Sequence, residues 1–345
     1  MTIEALSVMK HQMMTAQKAN AYACIFFTLF SLAFTLLSTS NAAAEAVNAY
    51  PSRPIRLVVP FPPGGSADIV ARVIAKPLGE LLGQAVFIDN KPGADGAIAA
   101  EYVAQAEPDG YTLFMATYGA MSAVPALHKT IHYDAIADFT PITATGKFAF
   151  FLFVHPSVPA HTLPELIEFA HKHPGLLNYG TGNTGAIVAT AELSATNKIE
   201  MTHVPYKGEV PAMNDFLAGR VQVMFATSAN ALPWVQRGKL RAVVTLLDKR
   251  SPLLPDVPTM AESGLHHLHI VPWSGVFGPA KMPAQLTNRL SVAINEILNR
   301  ADIQAEFAQQ GFEGAGSSPE QLQAYVKDQL KVWGRTIQLA GLKPE

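Results

Sequence analysis

Cysteine is nearly missing from this chain: its 345 residues contain one, Cys24. That residue stands near the start of an apolar run, Ala21 to Leu37, whereas a lipid-modified cysteine would follow such a run. Without a second thiol there is no disulfide and no cysteine-ligated metal, and a chain of this length buries enough core to do without a covalent staple. Charge is sparse and balanced, with 25 basic and 27 acidic residues and a net charge of -2. No basic cluster occurs, so the electrostatic footprint of a nucleic-acid binder is missing and no nucleic acid is expected as a partner. No G-x-S-x-G elbow, H-E-x-x-H pair or acidic calcium loop is present, so no catalytic residue and no cofactor is expected. Histidines two apart occur in His266-His267-Leu268-His269 and His171-Lys172-His173. Neither group has carboxylates or cysteines nearby to complete a metal site, and none is expected.

Lys10 and Lys18 precede the apolar run, and small residues ending in Ala42-Ala43-Ala44 follow it. This is the pattern of a secretory signal peptide over residues 1–44, with cleavage after Ala44 and Ala49 as a second candidate. The run is short against the roughly 20 residues of a membrane span, so no stable membrane insertion is expected after cleavage. Removing the leader, which holds Glu4, Lys10 and Lys18, leaves a mature chain of net charge -3.

Beyond Pro54 short β-branched runs alternate with helical stretches. Strands are expected at Ile55 to Phe61, Ala85 to Ile88 and Tyr111 to Thr117, with helices at Ala67 to Leu82 and Ala97 to Gln105. A second set opens with a strand at Ala149 to Val154 and continues with helices at Leu163 to His173, Gly185 to Thr196 and Val210 to Ala218. Its further strands are Leu177 to Tyr179, Met201 to Pro205, Val221 to Ala226 and Leu240 to Leu247, with a helical turn at Trp234 to Arg237. Such βα alternation predicts two α/β units, each with a mostly parallel sheet. The tail offers a strand near Val276 to Phe277 and helices at Ala284 to Asn299 and Pro319 to Leu339. With too few strands for a sheet of their own, these helices are expected to pack on the first lobe. Lobe 1 then spans 50–148 plus about 250–345, and lobe 2 about 149–249, with crossings near 148–155 and within 245–275.

Three segments carry candidate chemistry. Val58 to Asp68 is a strand ending in Pro60-Phe61-Pro62-Pro63-Gly64-Gly65 and opening into a helix at Ser66. Glycines admit a ligand close to the backbone, and a helix start favours an anion. The plainer alternative is that Ser66 caps the helix and Asp68 offsets its dipole. Tyr179-Gly180-Thr181-Gly182-Asn183-Thr184-Gly185 matches G-x-G-x-x-G, but the acid required at the end of the next strand is missing, which argues against a dinucleotide. What remains is a second helix start with Thr181 and Thr184 hydroxyls, or an ordinary turn capped by Thr184. The third segment, His203-Val204-Pro205-Tyr206-Lys207-Gly208, places Tyr206 at the carboxyl end of a strand, where open α/β sheets bind ligands.

These segments, together with Tyr50 to Arg56, Asn90 to Ala94, Pro108 to Leu113, Pro255 to Thr259 and Pro272 to Gly275, make the chain resemble the receptor family of tripartite tricarboxylate transporters, the Bug-type periplasmic solute-binding proteins. The resemblance implies a two-lobed, type II-like α/β periplasmic-binding-protein fold, its mixed and mostly parallel sheets joined by a two-crossing hinge that closes on a carboxylated solute. Carried over by position, Phe61, Gly64, Gly65, Ser66 and Asp68 would grip the solute from one lobe. Thr181, Thr184, Gly185 and Ala186 would face them, with Thr117, Tyr118 and Tyr206 completing the wall. The resemblance also implies membrane transporter subunits as partners and a monomeric protein in the periplasm that performs no chemistry. Two departures bear on the ligand: Val188-Ala189 stand where relatives carry His-Leu, and Ala226 where they commonly carry Asp. Losing that carboxylate removes a partner for a ligand ammonium and predicts a dicarboxylic or aromatic acid over an amino acid. A sensor subunit that reports occupancy to a signalling partner is the alternative reading, with an NAD-type enzyme behind it.

Overall fold

Ile55–Val59 (β1) is a run of aliphatic residues around one arginine, with Ile55, Leu57, Val58 and Val59 all buried. That is the pattern of a strand covered by helices on both faces. Ser66–Leu82 (α1) spaces Val70, Val73, Ile74 and Leu78 at helical intervals, so one face is buried, and Gly83 at φ 74° ends it in the left-handed conformation. Val86–Asn90 (β2), Ala97–Ala104 (α2) and Thr112–Thr117 (β3) follow, and then a π-type turn at Gly119–Ala123 leads into Val124–Leu127 (α3). The computed structural model describes residues 50–265 and 270–342. The expected leader and His266, His267 and His269 therefore lie outside the described residues. Tyr50–Ser52, which include a cis Tyr50–Pro51 peptide, belong to the unit preceding Arg53, and the helices and strands belong to the unit from Arg53 onward.

Phe139–Phe148 (β4) runs almost without interruption into Phe150–Val154 (β5), which carries the chain from one sheet to the other. Ala149 between them is pinned on both sides: its N–H donates to Gly311 O at 2.8 Å and its carbonyl accepts from Ser228 N at 3.0 Å. The second sheet is built from Leu163–Lys172 (α4), Asn178–Thr181 (β6), Thr184–Asn197 (α5), Thr202–Pro205 (β7), Glu209–Leu217 (α6), Val223–Thr227 (β8), Ser228–Gln236 (α7) and Arg241–Thr245 (β9). The chain returns through Trp273–Pro279 (β10), Ala284–Leu298 (α8), Ala301–Gln309 (α9), Phe312–Gly314 (β11) and Pro319–Leu339 (α10).

The first sheet has the order β11-β4-β10-β3-β1-β2 and the second β7-β6-β8-β5-β9. Both are mixed, and their parallel share is confined to one trio each, β2-β1-β3 and β7-β6-β8. The antiparallel remainder comes from the crossing strands and the returning tail. The tail helices α8 and α10 pack on β4 of the first sheet, and α10 is opened by a capping box between Ser318 and Gln321. Its Trp333 stacks on Tyr118 with ring centroids 5.4 Å apart, which fixes a side chain at the end of β3. Among the described residues no helix is long and apolar enough to cross a membrane.

Candidate functional site

The carboxyl ends of β1, β3, β6 and β8 open toward one another, where open α/β sheets place their ligands. Between them lies a pocket of about 450 Å³, including its opening to solvent. Phe61, Pro62, Gly65, Ser66 and Ala67 border it from the β1–α1 turn, Thr117 and Tyr118 from the end of β3, and Phe148 and Pro272 from beside the two crossings. The other sheet contributes Asn183, Glu209, Val210, Thr227 and Asn230.

On the first-sheet side, Gly64 holds φ 80°, a conformation that favours glycine, and its N–H donates to Asp68 Oδ2 at 2.9 Å. Asp68 also accepts from Asn90 Nδ2 at 2.9 Å and from Arg72 Nε at 2.8 Å. Burial works to raise the Asp68 carboxyl, but the hydrogen bonds from Arg72, Asn90 and Gly64 outweigh it and hold the group below its ordinary value. Gly64 and Asp68 thus brace the turn and do not line the pocket. Ser66 is the first helical residue and caps nothing: no side chain caps the first turn of α1. Its hydroxyl instead meets the Thr227 hydroxyl from the other sheet and accepts from Asn230 Nδ2 at 3.2 Å. The buried Thr117 hydroxyl, on the same wall, has no hydrogen-bond partner.

The facing helix start, α5, is differently arranged. Its Thr184 N–H donates to Asp95 Oδ2 at 2.7 Å, its Gly185 N–H lies against the Tyr118 hydroxyl, and its Ala186 N–H donates to Asn183 Oδ1 at 2.8 Å. The cap is therefore Asn183, not Thr184. Two of the three amides are held by side chains of the other lobe, and Thr184, Gly185 and Ala186 do not line the pocket. Thr181 is turned toward His203, with Oγ1 and Nε2 2.6 Å apart, and Tyr206 donates to Asp215 Oδ2 at 2.7 Å; neither reaches the pocket. Burial and the bond to Asp215 push the Tyr206 hydroxyl up to about 12. Of the residues expected from sequence, the structure brings Phe61, Gly65, Ser66, Thr117 and Tyr118 together around the pocket.

Two acids that the sequence did not single out dominate the electrostatics. Glu209, at the start of α6, is 9% exposed and accepts from Asn183 Nδ2 at 2.9 Å, Thr227 Oγ1 at 2.6 Å and Asn230 Nδ2 at 2.7 Å. Burial raises its carboxyl above the ordinary value despite these bonds. Asp95, held at φ 48° in a short 3-10 turn after β2, is pushed up to about 6 by burial, against the lowering effect of Thr184 and with the Glu209 charge adding to the rise. Its Oδ1 is buried without a partner. Position within the first turn after Tyr206-Lys207-Gly208 was the only local signal for Glu209, and Asn183 was visible as an N-cap residue type within the glycine loop. Among the described residues no cluster of histidines, cysteines and acids could hold a metal ion. His171 is bonded to the Asn197 carbonyl at 2.7 Å.

Residues 70–342 match the model of the family described as the tripartite tricarboxylate transporter family receptor. The chain is similar to the protein BugT of Bordetella pertussis, 33% identical over 305 residues that cover 88% of this chain and 94% of that one. Among solved structures it is similar to Rpa4515 of R. palustris with adipate, at 32% identity and TM-score 0.83 over 86% of this chain and all of that one. It is also similar to MatC of Rhodopseudomonas palustris with bound malate, at 30% identity and TM-score 0.78, covering 84% of this chain and 100% of that one.

Proposed function

The chain belongs to the tripartite tricarboxylate transporter receptor family, and from that premise we propose that it captures a small carboxylic acid between its two lobes and delivers it to membrane transporter subunits. The observation that carries this reading is one wall of the pocket. There the uncapped first turn of α1 adjoins a buried Thr117 hydroxyl without a partner. Backbone N–H groups at a helix start, together with a free hydroxyl, are donors suited to a carboxylate. Phe61, Tyr118, Phe148 and Pro272 supply an apolar surface for the body of the guest, whether methylenes or an aromatic ring. Solved relatives hold adipate and malate, which fits an organic acid.

In this reading the protein works in the periplasm after loss of its leader, acts as a monomer and leaves the solute chemically unchanged. Lobe 1 comprises 50–148 and about 250–345, and lobe 2 about 149–249. The crossings at Ala149 and between β9 and β10 absorb the rotation while each packed lobe stays rigid. A thermal-shift screen of small organic acids tests the proposal. An acid at about 100 times its dissociation constant should stabilise the protein by roughly 2.7 kcal/mol and be recovered intact by mass spectrometry. A broad panel without a stabilising acid, or conversion of the bound compound, would count against it.

A further inference from the structure

Glu209 borders the pocket, and every group bonded to its carboxylate is neutral: the Asn183 and Asn230 amides and the Thr227 hydroxyl and backbone N–H. The Asn183 amide has only one available orientation. Its Oδ1 already accepts from Ala186 N and Tyr118 Oη, each at 2.8 Å, so its NH2 must face Glu209. With donors at both oxygens, the acceptor-only ionised acid is the form this environment matches. Yet no ion pair among the described residues involves Glu209 or Asp95. Asp95, from the opposite lobe, is a second buried acid, and the Glu209 charge reaches it and adds to the rise of its carboxyl.

Neutral donors offset part of the cost of a buried charge, and a counter-charge is what usually completes such a site. A guest with only carboxylates would bring like charges together in a low-dielectric cleft; one that also carries a cation would relieve two costs at once. We propose that Glu209 is the specificity-determining residue of the cleft, and that the solute bears a cationic nitrogen in addition to its carboxylate. The inference rests on the cleft being the capture site for a small carboxylate. It reverses the preference suggested by Ala226, because the start of α6 supplies an acid to the pocket. The carboxylate would use the α1 amides and Thr117 in one lobe, and the nitrogen would use Glu209 in the other.

Titration calorimetry with matched compounds tests this: succinate against aspartate, glutarate against glutamate, adipate against 6-aminohexanoate, and 3-phenylpropionate against phenylalanine. In at least one pair the wild-type protein is expected to bind the nitrogen-bearing member ten times more tightly or better, and Glu209→Gln to abolish that margin. The wild-type comparison needs no variant, and the melting temperature of Glu209→Gln checks its folding. If the nitrogen-free member binds as well or better in every pair, or if folded Glu209→Gln keeps the margin, the inference fails while the capture of carboxylates stands. If no member of any pair binds, the capture site itself has been misplaced and both readings fail.

Discussion

Asp95→Asn should make the protein more stable at neutral pH and flatten the dependence of its stability on pH. In the folded protein the Asp95 carboxyl is raised from 3.8 to about 6. At 1.36 kcal/mol per unit, that gap of about two units amounts to roughly 3 kcal/mol. The sign follows from which state holds the proton more tightly. Below about pH 4 both folded and unfolded chains are protonated, and the group contributes nothing. Between about pH 4 and 6 the unfolded chain loses its proton first, so stability falls as pH rises. Above pH 6 the whole cost of roughly 3 kcal/mol is in place. Asparagine tolerates the positive φ and keeps an oxygen to accept from Thr184 N, but cannot ionise. Urea unfolding of both proteins from pH 4 to 7 should give curves that meet near pH 4 and diverge to as much as about 3 kcal/mol at pH 7, with the variant the more stable. Curves that stay parallel across that range would refute the assignment of a buried, raised carboxyl at this position.

Two further outcomes follow from the same geometry. Thr117→Val replaces a buried hydroxyl without a partner, so the unliganded protein should keep or gain about 1 kcal/mol of stability in urea unfolding, while affinity for the captured acid falls about tenfold; a loss of stability with unchanged affinity would contradict the placement. Gly185→Ala would set a Cβ 2.4 Å from the Tyr118 hydroxyl, on a ring braced by its stacking on Trp333 and its hydrogen bond to Asn183. Its lobes should be propped apart, giving a larger radius of gyration in small-angle scattering and weaker capture, and scattering identical to wild type would count against the closeness of α5 to Tyr118.

Local signals carried the parallel trios well. The expected helix at Ala67 to Leu82 is Ser66–Leu82, and the strand expected to end at Thr117 does so, because one-sided helical spacing and a continuous apolar run are properties of neighbouring residues. β4 went unread because Pro141 and Gly146 argue against a strand interior. The structure accommodates them beside register shifts against β10, with Gly146 at φ 144°. The tail held more than expected: α9 and β11 were not foreseen, and the short strand near Val276 extends over Trp273–Pro279. At the site, the strand-turn-helix at Pro60 to Asp68 was legible as local structure, and its Phe61, Gly65 and Ser66 border the pocket while Gly64 and Asp68 do not. What neighbouring residues could not reveal was that β6 lies between β7 and β8, which sets Glu209 beside Thr227 and Asn183. Nor could they show that Asp95 and Tyr118, from the other lobe, take the α5 amides that the sequence left open to a guest.

The central claim is that a carboxylate is held at the start of α1, and Gly65→Val tests it most directly. Gly65 has φ -70°, which other residues adopt, so the fold should survive. A side chain there crowds the turn at a residue that borders the pocket, its Cβ lying 3.2 Å from Pro62 O and 3.5 Å from Phe61 Cβ. Calorimetric titration with the acid that most stabilises the wild-type protein should show one-to-one binding, weakened at least a hundredfold in a folded Gly65→Val protein. Equal affinity in the two proteins would contradict the account.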